Sequence, residues 1–118
     1  MPHLKIGDVL AQVDDLLPNQ YTAQQKQRWA EQAEGLVITE ILGEDMPEAM
    51  TEDTVLRADP PYDEMYRHFV EAQIHYANDE IERYNNAAAA WNGLFTAYQD
   101  HCICRGLHAG VSAALKLC

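Results

Sequence analysis

Glu64, His68, Glu71, His75, Asp79 and Glu82 follow one another at steps of 4, 3, 4, 4 and 3. At helical periodicity those steps place all six on one face. Carboxylates and imidazoles so spaced suit a transition metal or acid–base work. A di-iron bundle, however, needs Glu-x-x-His on two helices plus two further glutamates, all pointing inward. Here the spacing is Glu-x-x-x-His, on one helix only. The same segment carries a wide apolar arc on its other side, so the pattern favours a solvated face over a metal or acid–base site.

A second set is His101, Cys102, Cys104 and His108, four potential zinc ligands within eight residues. A zinc knuckle usually places two ligand pairs on separate turns, with Cys-x2-4-Cys as one pair. Cys-x-Cys is a weak form of that signal. Cys102 also continues an apolar stripe, where a thiol acts as a small hydrophobe. Cys102, Cys104 and Cys118 all fall near one end, so reduced thiols are expected rather than a disulfide framework. Ser112 is the single serine and has no Gly-x-Ser-x-Gly around it. A thiolate beside His101 has neither an orienting third group nor an oxyanion site. No glycine-rich loop cradles phosphate, and the acidic stretch Glu44 to Asp53 lacks the ligand alternation of a calcium loop.

The elements that must position these residues read as helices. Val9, Leu10, Val13, Leu16 and Leu17 recur at helical spacing after Asp8, a candidate cap, and Pro18-Asn19 ends the run. Thr22-Ala23-Gln24-Gln25 is a capping box, followed by the stripe Trp29, Ala33, Leu36, Val37 and Ile41. Gly43 fits the left-handed position that closes this helix. Residues 44 to 61 show no sustained period and hold Pro47, Pro60 and Pro61. At most one short strand is expected, near Thr54 to Arg57. The segment Glu44 to Asp59 is read as the least self-sufficient part of the chain, ordered by neighbouring subunits. A third helix begins at Tyr62-Asp63, with apolar positions as far as Ile81 over an arc wide enough to meet more than one neighbour. Its pattern breaks near Arg83 to Asn86. Asn86 then caps a fourth helix carrying Ala87, Trp91, Leu94, Phe95, Tyr98 and Cys102 on one face.

The expected fold is therefore all-α: one small domain over residues 1–118, a bundle of four main helices with a long acidic loop between the second and third. Its core lies at about residues 6–104, with a tail at 105–118. A chain of 118 residues buries roughly two thirds of its unfolded surface, enough for a core without staples. Eight Lys and Arg against 19 Asp and Glu give a formal net charge of −11. That balance argues against a phosphate-neutralising surface and against docking on an anionic membrane leaflet. The longest apolar run, Ala87 to Trp91, is far too short to span a bilayer, and the first residues lack the apolar core of a signal peptide. A soluble acidic domain is expected. Its aromatics exceed what a small core hides, and the surplus points to protein–protein contact.

Certain ordered residues resemble a known family. Pro61-Tyr62-Asp63-Glu64-Met65-Tyr66, the run Glu71 to Asn86, and Phe95 with Ala97-Tyr98-Gln99 are similar to the small head–tail connector (adaptor) proteins of long-tailed bacteriophages and prophages. Val13-Asp14, Pro18 to Thr22, Trp29 and Thr51 to Thr54 agree with it, so the resemblance covers residues 6–100. It implies a structural virion protein, a mostly helical subunit of a ring, commonly twelvefold, between the capsid portal and the next neck or tail protein. Its partners would be its own copies, the portal protein and that downstream protein. DNA would pass through the channel without specific binding. It would reside in the virion neck after assembly in the host bacterial cytoplasm. The resemblance implies no enzymatic activity, no cofactor and no catalytic, cofactor-binding or metal residue. After Gln99-Asp100 the chain departs from the family, so contacts of the tail His101 to Cys118 are not carried over. The competing classes are a helical metal-binding enzyme using the Glu/His face of the third helix, and an acidic DNA-mimic inhibitor.

Overall fold

A computed structural model describes residues 3–104 of the chain. Four α-helices follow in order, α1 (Ile6–Leu16), α2 (Ala23–Leu36), α3 (Glu64–Ala77) and α4 (Ile81–Cys104). α2 runs on into a π-helical turn at Val37–Ile41. The fold is all-α, as the periodicity predicts. Among the described residues no strand forms; a lone antiparallel bridge joins Lys5 to Val55.

Local chemistry explains most of the boundaries. Asp8 does not cap α1 from outside. It sits inside the first turn, where its carboxylate accepts the Lys5 backbone N–H at 2.9 Å and complements the helix dipole. The capping box of α2 forms as expected: the Gln25 N–H donates to Thr22 Oγ1 at 3.1 Å, and the Thr22 N–H donates to Gln25 Oε1 at 3.0 Å. Gly43 takes φ of 68° and ends the π-turn. Gly35 has a different reason to be glycine. A Cβ there would lie 2.6 Å from Met46 Sδ, so the connection after α2 folds back onto bare backbone.

That connection differs from its expectation. Its first part, 44–49, is exposed. Its second part returns to the core, with Leu56 and Ala58 fully buried. The Ile6 N–H donates to the Thr54 carbonyl at 3.0 Å, and the Leu56 N–H to the Leu4 carbonyl at 2.8 Å. The acidic segment is thus not dependent on neighbours along its whole length; residues 54–58 are held by this chain's own core.

α3 packs against all three other helices, as its wide apolar arc requires. The boundary between α3 and α4 lies earlier than the apolar pattern indicates. Asp79 adopts φ of 61°, the Asp79 N–H donates to the Tyr76 carbonyl, and the Glu80 N–H donates to the His75 carbonyl at 2.9 Å. This is a Schellman closure with aspartate where glycine is usual. Asn86, expected to cap the fourth helix, lies inside α4.

Aspartate tolerates left-handed geometry but still carries a Cβ. Asp79→Gly keeps both closing hydrogen bonds and is expected to raise stability by about 0.5–1 kcal/mol, read as a higher urea midpoint. A lower midpoint would show that the Asp79 carboxylate itself holds the turn.

Candidate functional site

A polar contact lies buried beside the apolar core. Glu34 lies on the buried face of α2 and is 1% exposed. The Tyr66 hydroxyl donates to its Oε1 at 2.7 Å, and the Arg57 backbone N–H donates to its Oε2 at 2.9 Å. The Ala58 N–H donates to the same Tyr66 hydroxyl at 3.2 Å, and the Tyr98 hydroxyl donates to the Arg57 carbonyl at 3.2 Å. Burial raises the Glu34 carboxyl above its ordinary value and pushes Tyr66 well up. Outside this hub Asp59 stands between two imidazoles, His3 Nε2 at 3.0 Å and His101 Nε2 at 3.5 Å. The sequence reading missed both groups. A signal existed for the first, because Glu34 shares the helical stripe of Ala30, Ala33, Val37 and Ile41.

The Glu/His stripe of α3 is not uniformly solvated. Nor does it lie on one helix: Asp79 falls in the turn after α3 and Glu82 on α4, both exposed like Glu64, whereas His75 is buried and His68 and Glu71 are half-buried. These three line a groove of about 260 Å³ with Arg83, Asn86, Ala87 and Ala90 of α4, whose alanines let the helices approach. The carboxylates here are matched internally. Arg67 reaches Glu64 at 3.3 Å and Glu71 at 3.1 Å, and His75 Nδ1 lies 2.8 Å from Glu80 Oε1. Burial and the Arg67 charge lower the His68 pKa, and the His75 contact lowers that of Glu80. Among the described residues no group of three or more His, Cys, Asp or Glu is arranged to hold a metal ion. The stripe works as an ionic edge of the α3–α4 hairpin.

The opposite edge of the same hairpin is aromatic. Phe69 and Trp91 meet edge to face at 5.0 Å, while Trp91 and Phe95 at 5.0 Å and Tyr76 and Tyr84 at 5.5 Å are tilted pairs. Tyr76 is 65% exposed and Ile81 55%. This edge is the strongest candidate for a functional surface among the described residues.

The set His101, Cys102 and Cys104 does not converge. His101 faces Asp59 and stacks near Tyr62 at 5.0 Å, whereas Cys102 is fully buried in the core. Cys104 is half-buried at the end of α4. His108 and Ser112 lie outside the described residues. No described helix is long and apolar enough to cross a membrane. No family model, curated protein or solved structure matches the chain.

Glu34 makes the hub testable. Glu34→Ala leaves the Tyr66 hydroxyl and the Arg57 N–H without their acceptor and should cost about 3 kcal/mol. Glu34→Gln tests protonation. The folded chain holds the Glu34 proton more tightly than the unfolded chain, so this group's contribution is full below the ordinary value of 4.5 and is lost as pH rises through the folded value. Denaturant titrations across that window should show the unmodified chain losing stability relative to Glu34→Gln as pH rises. A constant difference would place the carboxylate in one charge state throughout.

Proposed function

We propose that the chain is a structural subunit of a phage head–tail connector, copies of which form a ring between the capsid portal and the next neck or tail protein. The ordered residue series from Pro61 to Gln99, similar to that family, carries this reading. In this fold those residues are the framework of the α3–α4 hairpin. Met65, Tyr66 and Ile74 are fully buried, Tyr62 packs on Tyr98, and Asn78 accepts the Tyr21 hydroxyl at 2.6 Å.

The electrostatics support a channel role. DNA is gripped by cations that displace its counterions, and it slides where they are absent. Lys26, Arg57, Arg67 and Arg83 are each already paired with a carboxylate of this chain. An anionic wall built from such subunits would repel the phosphates it surrounds.

Purified chain mixed with portal-bearing capsids should add a ring of density beneath the portal in negative-stain averages. Particles that stay bare at saturating concentration would sink the connector reading.

A further inference from the structure

We propose that the aromatic, uncharged edge of the α3–α4 hairpin is the surface on which a second copy of this chain docks. The inference rests on the connector reading in supposing that copies must meet, but the surface is chosen by charge and shape. Between α3 and α4 lies a groove of about 230 Å³ lined by Phe69, Gln73, Tyr84, Trp91 and Asn92. Tyr76, 65% exposed, packs on Tyr84 at one end of it. Aromatic rings on a surface without Lys, Asp or Glu are a composition that interface cores favour.

Charge selects the occupant. The chain carries a net charge of −11, yet the sixteen consecutive residues from Tyr84 to Gln99 hold no charged side chain. Asn85, Ala89, Asn92, Gly93 and Thr96 of that stretch face solvent. The other exposed regions carry charge: Asp14 and Asp15 on α1, Arg28 on α2, Glu44 and Asp45 after the π-turn, Asp79 at the hairpin turn. A second copy is necessarily just as acidic. Bringing two such molecules together on any of those regions places like charges in contact. On the neutral edge it does not, and the small side chains there allow close helix approach. A basic partner would be drawn instead to the carboxylate faces, where its charge is matched.

Sedimentation velocity of the full chain, from about 1 µM to 1 mM, reads the self-association directly. Ala89→Glu and Asn92→Glu each add a carboxylate at an exposed helical position. Circular dichroism and the thermal midpoint check that both still fold. Each should weaken association by about tenfold or more. Gln32→Glu, an equal charge on exposed α2, should leave it unchanged. The inference is overturned if the unmodified chain stays monomeric over the whole range, if the two α4 variants associate as it does, or if Gln32→Glu weakens association equally. Portal binding separates the two readings. A chain that associates through this edge but leaves portals bare keeps the inference and loses the connector. Rings that assemble on portals equally well from Asn92→Glu subunits keep the connector and lose the inference.

Discussion

The bundle closes on a carboxylate that has been taken out of water. Burying Glu34 costs several kcal/mol unless donors replace the lost solvent, and the donors it finds come from two other parts of the chain. One is the Tyr66 hydroxyl of α3. The other is the backbone of an extended segment that belongs to no sheet. A buried extended segment in an all-helical protein must satisfy its N–H and C=O groups without a neighbouring strand of any length. Here side chains do much of that. Glu34 takes the Arg57 N–H, Tyr66 takes the Ala58 N–H, Tyr98 serves the Arg57 carbonyl, and His3 Nδ1 lies 2.7 Å from the Leu56 carbonyl. Residues 56–58 are thereby tied to α2, α3, α4 and the N-terminal segment together.

That hub also fixes the α3–α4 hairpin. Tyr98 holds α4 to the connection at one end, and the Schellman closure at Asp79 holds it to α3 at the other. With both ends set, helical periodicity sorts the side chains between them. His68, Glu71 and His75 fall on one side of the seam, and Phe69, Gln73 and Tyr76 on the other, although neighbours in sequence are only a residue or two apart. A step of one residue turns the helix by about 100°, enough to move a side chain from one edge to the other. The ionic and aromatic edges are two consequences of a single helix pairing.

Much of the fold was legible because its signals are local. The capping box at Thr22 and Gln25, Gly43 in the left-handed region, and the wide arc of α3 all depend on residues within one or two turns. The α3–α4 boundary was not legible, because aspartate takes a position where glycine is the usual mark and the apolar period continues through it to Ile81. Residues 54–58 promised at most a short strand, and their burial was not legible because their partners lie far away in sequence: Glu34 is 23 residues from Arg57, and Tyr98 is 41. Of the candidate sites, Glu64, His68, Glu71 and His75 do lie on α3, but Asp79 falls in the turn and Glu82 on α4, and the partial burial of His68, Glu71 and His75 was not foreseen. The groove forms only once the alanines of α4 lie against that face. The aromatic edge was legible as a surplus of rings, not as a location.

The distribution of charge follows from the same geometry. Cations in this chain are few, and the paired arginines are exposed or half-buried: Arg67 with Glu64 and Glu71, Arg83 with Glu80, and Arg57 with Glu44 across the connection. Lys26 is the exception. It is buried between α1 and α2, and its contact with Asp14 lowers that carboxyl. Lys5 and Arg28 are exposed outside these pairs, and unmatched carboxylates remain on α1, the connection and the hairpin turn. None falls on α4 between Tyr84 and Gln99, where the chain places aromatic, amide and small side chains instead. Net repulsion between copies and a neutral stretch of helix on each are therefore properties of one sequence, and the second determines where the first can be avoided.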